Sequence, residues 1–407
     1  VQTCALPIFT RTGQGPAQPF FELGHGTYNT TAMAAGLSGA LNGWKYSVQV
    51  ADKRSDGFSA INNPSSVYYS RDKDGYRYAS SSGQVSYALA AGQEVGASYV
   101  YSDGWARYDS LGDTSPASDD YKQLQTLSSL NVYSRNQLSD AWTSTLRVGQ
   151  STDDTRQLDN GTRTSVIRTA QTQYQWQNDI KLAQGKVLAG LEHVDQHLMS
   201  DANYAVKDRS IDALFAGWSG YFGAHTVQVN ARQDHNSQFG DKATGTVGYG
   251  YRLNSQWRGN VSWGTAFKAP TFNDLYFPRD AYDDIGNANL KPESAVNREA
   301  SIRYEGGDHR ASITYYQNDV KDLIQWAPID PTFTTTYGYT PSNVAKASLT
   351  GWTLAYQGDV AGVRLGASLD VQNPKDVDLG KTLVNRARHI GKLSADRDFG
   401  GLTVGAE

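Results

Sequence analysis

Residues 225–253, HTVQVNARQDHNSQFGDKATGTVGYGYRL, decide the fold because their side chains alternate between apolar and polar with a period of two. That period is the spacing of a β-strand, whose successive side chains point to opposite faces. In the second half of the stretch one face carries Val247, Tyr249 and Tyr251. The other face carries Thr246, Gly248 and Arg252. The pattern therefore predicts two strands, each with one apolar and one polar face.

The same alternation covers most of the 407 residues, and no long segment shows helical spacing. A net charge of -4 gives no electrostatic basis for binding nucleic acid, and one cysteine excludes a disulfide framework or a cysteine zinc site. Tyrosine (25) and tryptophan (9) together outnumber phenylalanine (12), as is typical where rings meet both apolar and wet surroundings. On alternation alone, a secreted soluble sandwich or propeller remains an alternative.

The connections between the strands favour a membrane barrel over that alternative. Tight turns rich in Gly, Asn or Asp alternate along the chain with long polar loops. The long loops are near residues 55–74, 108–121, 153–163, 199–208, 270–297, 327–343 and 373–385. Outer-membrane barrels have this asymmetry, with short periplasmic turns and long extracellular loops. We predict an all-β, antiparallel, up-and-down transmembrane barrel of about 19 strands, with Val247, Tyr249 and Tyr251 facing lipid.

Three motifs carry a family resemblance: WGTAFKAPTFNDLY (263–276), GNANLKPE (286–293) and YYQNDVKDLIQW (315–326). Together with RQDHNSQFG (232–240), they resemble the barrel of TonB-dependent outer-membrane receptors, and the likeness extends over residues 9–407. The resemblance implies a Gram-negative outer-membrane location, a lipid bilayer around the barrel, and TonB acting on a plug domain. Such barrels have about 22 strands, so we expect a barrel truncated at both ends.

The resemblance divides the chain into three parts. Residues 9–18 are similar to the end of the plug and its junction, and residues 19–407 to an incomplete barrel. Residues 1–8, VQTCALPI, resemble neither a signal peptide nor a plug strand. They resemble one reading frame of a short-read sequencing adapter, GTTCAGACGTGTGCTCTTCCGATC. We therefore expect Cys4 to have no function, and a barrel without its plug not to transport by itself.

No constellation typical of an enzyme is present in the sequence. We find no nucleophile elbow, no phosphate-binding glycine loop and no paired catalytic carboxylates. His193 and His197 are four residues apart, about 13 Å along a strand, which is too far to share a metal ion. We expect both to be wall residues, the protein not to be an enzyme, and no redox or organic cofactor.

Two loops carry acidic residues suited to calcium, which prefers oxygen ligands on flexible segments. RDKDGY supplies Asp72 and Asp74, and YDSLGDTSPASDDY supplies Asp109 and Asp120. By resemblance, these four match calcium-binding aspartates of cobalamin receptors, while Ser59 stands where that family has a further aspartate. The alternative is that they are ordinary solvated loop residues. The resemblance therefore implies calcium as the cofactor, held by Asp72, Asp74, Asp109 and Asp120.

The function implied by the resemblance is TonB-dependent uptake of cobalamin or a related corrinoid. A siderophore or haem receptor of the same fold is the alternative, and an adhesin-like or enzymatic outer-membrane barrel is an alternative of another class. By position alone, the aromatic residues of the loop at 270–297 are candidates to contact the ligand. They are Phe272, Tyr276, Phe277 and Tyr282.

Overall fold

The fold was analysed in a computed structural model of the chain. The structure describes residues 13, 15–59, 61, 63, 65, 72–109, 120–332, 334–344, 346–383, 386–400 and 402–406. The segment resembling a sequencing adapter, with Cys4, and residues 9–12 and 14 of the plug junction lie outside them. Within the described ranges, no helix is long and apolar enough to cross a bilayer.

The described residues form twenty-one β-strands and one short α-helix. The strands of the first half are β1 (Gln18–Gly26), β2 (Thr30–Leu41), β3 (Trp44–Ser55), β4 (Tyr76–Ala90), β5 (Gln93–Arg107), β6 (Tyr121–Gln137), β7 (Trp142–Asp159), β8 (Thr162–Leu182), β9 (Gly185–Ser200) and β10 (Asp208–Phe222). The remaining elements are β11 (His225–Asn236), β12 (Gly240–Arg252), β13 (Trp257–Lys268), α1 (Phe272–Tyr276), β14 (Glu293–Gly306), β15 (His309–Lys321), β16 (Leu323–Pro328), β17 (Tyr339–Val344), β18 (Ala347–Val360), β19 (Val363–Asp376), β20 (His389–Phe399) and β21 (Leu402–Ala406).

Nineteen of the strands found in the described residues belong to one sheet, and β16 and β17 pair with each other. Pairing is antiparallel between chain neighbours from β1 to β7 and from β11 to β15. It continues from β15 to β18 and on to β21. The predicted all-β, up-and-down antiparallel fold of about 19 strands is confirmed.

The contacts divide the chain into two compact units, Val1–Asn178 with Leu191–Asp212, and Asp179–Gly190 with Ala213–Glu407. In the second unit the apolar face forms continuous rows across the strands. Val247 lies between Val229 and Trp263, and Ile313 lies between Ile302 and Leu354. All six of these side chains are exposed, as are Tyr249 and Tyr251. A soluble sandwich would bury this face in a core, so the exposed rows support the membrane barrel.

One predicted long loop is wrong. Of residues 153–163, all but two belong to strands β7 and β8, which have 18 and 21 residues. A two-residue turn of Asn160 and Gly161, both with positive φ, joins them. The sequence signal was the Asn-Gly pair, which favours this hairpin turn because both residues tolerate the left-handed region. Since about 9–11 residues cross a membrane, the wall formed by these strands extends well beyond it.

Each strand has two ends, which we name by the connections predicted there. The long-loop end of β3, β4 and β5 holds Ser55, Tyr76 and Arg107, and the connections at 56–75 and 108–120 begin there. The short-turn end holds tight connections such as Asn42–Gly43, where both residues have positive φ. Ring pairs lie beside the short turns, for example Trp44 with Tyr87 and Trp257 with Tyr304. Aromatic residues at the edge of an apolar band are typical of membrane barrels.

Candidate metal centre and ligand-facing loops

Strand pairing brings two acidic loops together at the long-loop end of the first unit. Ser55 pairs with Tyr76, and Tyr76 pairs with Ala106. Asp74 is two residues before Tyr76, and Asp109 is three residues after Ala106. The bases of the two loops, at residues 56–75 and 108–120, are therefore neighbours.

A close backbone crossing fixes the first of these loops. Asp74 N donates to Phe58 O at 3.3 Å, and Arg107 N donates to Gly75 O at 2.9 Å. Gly57 has φ +68, and a Cβ there would lie 2.1 Å from Asp74 O. Only glycine fits such a conformation and approach without displacement. The sequence pair Gly57 and Gly75 thus lets the chain carrying Asp74 pass directly over the end of β3.

The carboxylates of Asp72, Asp74 and Asp109 converge at this crossing. Each offers an oxygen, and these three atoms lie within 4.8 Å of one another. Asp72 Oδ1 is shielded from solvent and accepts no hydrogen bond. Asp74 Oδ1 and both oxygens of Asp109 are likewise shielded from solvent. Three like charges at this separation repel one another, and burying them away from water adds a desolvation cost.

The cluster has the donor chemistry and size that calcium requires. Calcium binds about 6–8 oxygens at roughly 2.3–2.6 Å, so opposite ligands are about 5 Å apart. The 4.8 Å limit on the separation of the three carboxylate oxygens fits within that sphere. The absence of His and Cys from this group favours a hard cation over zinc or copper. Carbonyl groups or water would have to supply the remaining ligands.

Asp120 lies outside the cluster, in an ion pair at the base of the second loop. Its Oδ1 is 2.8 Å from Arg107 Nε, and its Oδ2 is 2.5 Å from Lys122 Nζ. Arg107 and Lys122 are paired across β5 and β6, which sets the two cations side by side. Burial alone raises the pKa of Asp120, but hydrogen bonds and charges from Lys122 and Arg107 outweigh it and lower the pKa. The structure therefore joins three of the four predicted aspartates.

Two further residues belong to the connections that carry this site. Ser59 donates from Oγ to Ile61 O at 3.0 Å. Tyr108 precedes Asp109, and its ring lies 6.0 Å from that of Tyr121. Burial, aided by Tyr121 and Asp159, raises the pKa of the Tyr108 hydroxyl. The Tyr108 hydroxyl is therefore uncharged at neutral pH.

The four predicted ligand-contact residues occupy different environments in the second unit. Phe272 is only 4 % exposed and forms the core of its loop with Leu275. Phe277 makes an edge contact with Trp326, with ring centroids 6.1 Å apart, and Tyr276 is half-buried. Tyr282 is 67 % exposed. Phe272 thus has a structural role, and Tyr282 is the one of the four that presents its ring to solvent.

The loop that carries them is well anchored. Thr271 caps α1 through a capping box with Asp274. Asn287 Nδ2 donates to Pro341 O at 3.0 Å, and Tyr339 N donates to Asp284 Oδ1 at 2.7 Å. These bonds attach the 270–297 connection to the β16–β17 hairpin.

The two histidines of β9 each contact their own aspartates. His193 Nδ1 is 2.7 Å from Asp212 Oδ1, and its Nε2 is 3.1 Å from Asp195 Oδ2. His197 Nδ1 is 2.6 Å from Asp208 Oδ1. Of the residues that the structure describes, only the three aspartates form a group with metal-ligand geometry. Both histidines lie on β9, a strand of the large sheet, where wall residues are expected.

Comparison with known proteins identifies the family. Residues 18–406 match the family model described as TonB dependent receptor-like, beta-barrel. The chain belongs to this family of outer-membrane proteins of Gram-negative bacteria, which are receptors and transporters rather than enzymes.

Two relatives of the chain are named vitamin B12 transporters. The chain is 30% identical over 387 residues to the vitamin B12 transporter BtuB of Photobacterium profundum, covering 94% of this chain and 59% of that protein. It is 27% identical to BtuB of Vibrio vulnificus, covering 92% and 60%. The chain therefore spans about three-fifths of the length of these relatives.

Solved structures with the same fold include siderophore receptors. One is PirA of Acinetobacter baumannii, with a TM-score of 0.75, 15% identity and coverage of 96% of this chain and 67% of that one. Another is a PfeA mutant of Pseudomonas aeruginosa in complex with enterobactin, with a TM-score of 0.77, 16% identity and coverage of 95% and 67%. At this identity the likeness concerns the fold alone.

Proposed function

We propose that this chain is the barrel part of a receptor that takes up cobalamin or a related corrinoid. The observation that carries the proposal is the half-buried trio Asp72, Asp74 and Asp109 at the long-loop end, whose converging carboxylates have oxygens shielded from solvent. The relatives named vitamin B12 transporters support the choice of cargo. In this proposal the loops at that end bind the ligand, and TonB drives its uptake by pulling on a plug domain.

In this proposal, the charges of the trio give a cation its role in ligand binding. Without one, mutual repulsion among the three carboxylates drives apart the loop bases at residues 72–75 and 108–109. A bound calcium ion supplies positive charge that neutralises them. Asp72 and Asp74 then hold the first loop to Asp109 of the second. Pre-ordered loops bind a ligand more tightly because less conformational entropy is lost on binding.

A siderophore or haem receptor is the second candidate. It is compatible with the fold, since solved structures of this fold include siderophore receptors. Its sequence support is weaker, because those structures are 15–16% identical to this chain, whereas the vitamin B12 transporter BtuB of Photobacterium profundum is 30% identical. The two candidates make different predictions about calcium, since only the corrinoid proposal assigns a function to the trio of Asp72, Asp74 and Asp109.

The experiment is titration of the full-length receptor with cyanocobalamin at increasing calcium. We expect affinity to rise with calcium in the wild type and to lose this dependence in Asp74→Asn. Asp120→Asn is the matched control, because it removes a loop carboxylate that is paired with Arg107 and Lys122. If cyanocobalamin affinity depends neither on calcium nor on either substitution, the calcium role is refuted. Binding of a ferric siderophore or haem instead would favour the second candidate.

A further inference from the structure

Two aromatic rings stand beside the acidic trio at the long-loop end. Tyr28 is 57 % exposed and Phe58 is 61 % exposed. Their ring centroids are 5.1 Å apart and the planes are tilted by 43°. Neither residue could be predicted from the sequence, because the two lie on separate connections and meet only in the fold.

Lipid does not account for the exposure of these rings. Along β3 the exposed apolar residues Val48 and Val50 share a face with Asp52. Asp52 is ion-paired to Arg77 at 2.8 Å. This charged pair ends the apolar band of β3 toward the long-loop end. Tyr28 and Phe58 lie beyond this pair, past the ends of their strands. They therefore face the aqueous side.

The turn that presents Tyr28 is unsuited to tyrosine. Thr30 N donates to Thr27 O at 3.1 Å, and Tyr28 and Asn29 between them have φ of 57° and 54°. Such two-residue turns favour Asn or Gly at the first left-handed position. A bulky residue there is disfavoured by contact of its Cβ with the backbone. A tyrosine at this position indicates a role for the ring rather than for the turn.

Backbone hydrogen bonds connect both rings to the trio. Asp56 N donates to Tyr28 O at 3.0 Å, and Asp74 N donates to Phe58 O at 3.3 Å. The Ser55 hydroxyl also donates to Tyr28 O, at 3.3 Å. The segment from Ser55 to Phe58 thus carries one ring, supports the other and contacts an acidic residue. Ordering of the acidic loop consequently orders the ring pair.

We propose that Tyr28 and Phe58 are an apolar contact surface for the corrinoid, an inference that rests on the proposed function. A corrinoid presents a large conjugated ring with methyl groups and amide-bearing chains at its rim. Adjacent exposed rings bury a large apolar area against such a ligand, and the tyrosine hydroxyl can bond to an amide. The neighbouring acidic trio, neutralised by calcium, places the surface at the ligand-facing side of the loops.

The test uses the full-length receptor with saturating calcium and cyanocobalamin as the probe. Tyr28→Asn removes the ring and suits the left-handed turn, so folding is preserved; Phe58→Ser removes its partner. We expect each substitution to weaken cyanocobalamin binding by about tenfold, as is typical of an anchoring aromatic residue. Calcium affinity should be unchanged in Tyr28→Asn. Tyr221→Ser, which removes an exposed ring at the short-turn end, is the matched control and should leave binding unchanged.

The outcomes separate this inference from the function on which it rests. If the wild type binds cyanocobalamin and Asp74→Asn weakens that binding, while Tyr28→Asn and Phe58→Ser do not, the ring surface is refuted and the proposed function stands. If the wild type does not bind cyanocobalamin, both are refuted. A change of oligomeric state in the ring variants, with unchanged cyanocobalamin binding, would identify the rings as a contact between copies and overturn the proposal.

Discussion

Gly57 and Asp74 approach so closely that a Cβ on Gly57 would lie 2.1 Å from the carbonyl oxygen of Asp74. Gly57 also has φ +68, which only glycine adopts readily. The contact joins the end of β3 to the acidic loop before β4. The position of Asp74 within the trio therefore depends on a residue that carries no ligand atom.

Gly57→Ala should weaken calcium binding without touching a carboxylate. The new methyl group must displace the Asp74 backbone, and the left-handed conformation itself costs about 1–2 kcal/mol. We expect at least about a tenfold loss of calcium affinity by calorimetry, since each 1.4 kcal/mol is about a factor of ten. The matched control is Gly240→Ala, where φ is +64 but a Cβ meets nothing within 4 Å. Equal effects of the two substitutions would contradict the role of the crossing.

Asp120→Asn should leave calcium affinity nearly unchanged and loosen the base of the β5–β6 loop. Its pairing with Lys122 and Arg107 is partly exposed, so after allowance for solvent screening the loss is about 0.2–1 kcal/mol. Because its folded pKa is lowered, its stabilisation is present above the unfolded pKa of about 3.9 and disappears as pH falls through the folded value. Hydrogen exchange of Asp120 and Lys122 amides, measured from pH 7 to pH 3, reports this change. A large fall in calcium affinity in Asp120→Asn would instead return this residue to the ligand set.

The convergence of Asp72, Asp74 and Asp109 could be predicted because antiparallel neighbours bring alternate loops to the same end. The pairs Ser55–Tyr76 and Tyr76–Ala106 express that rule directly. The cation itself stays a prediction. The sequence argument grouped Asp120 with the other three aspartates and missed its ion pairs, because these depend on which side chains face each other across β5 and β6. The contact between Tyr28 and Phe58 could not be predicted for a similar reason, since no periodicity relates residues on two different connections.

Asp330 should control the order of the loop between β16 and β17. Its carboxylate accepts hydrogen bonds from the backbone N–H and hydroxyl groups of Thr332, Thr334 and Thr335. Bonds from the Thr332 hydroxyl and the Thr335 backbone hold the pKa of Asp330 well below its usual range. The stabilisation is thus present above the unfolded pKa of about 3.9 and persists until pH falls through the much lower folded value.

Amide exchange of Thr334 and Thr335 should therefore stay slow in the wild type from pH 7 to pH 4, after correction for intrinsic rates. Asp330→Asn should accelerate it by about tenfold or more, because an amide nitrogen cannot accept these bonds. Asp359→Asn is the control, since Asp359 accepts a single bond from Gly362 N. Protection retained in Asp330→Asn would show that the β16–β17 pairing alone orders the loop.

The two faces of β11 should respond differently to a positive charge. Val229 is exposed on the apolar face and pairs with Val247. Its chain neighbours, Gln228 and Asn230, are both polar. Gln228 is the adjacent residue on the polar face and pairs with Gly248. An arginine facing lipid near the midplane costs about 2–4 kcal/mol, whereas the polar face is hydrated.

We expect Val229→Arg to lower the free energy of unfolding of the full-length receptor in phospholipid vesicles by that amount, and Gln228→Arg to change it by less than about 1 kcal/mol. Urea titrations followed by loss of the compact, heat-modifiable species on gels measure both values. If Gln228→Arg were the more destabilising variant, the assignment of the two faces would be reversed, and Val247, Tyr249 and Tyr251 would have to point away from lipid.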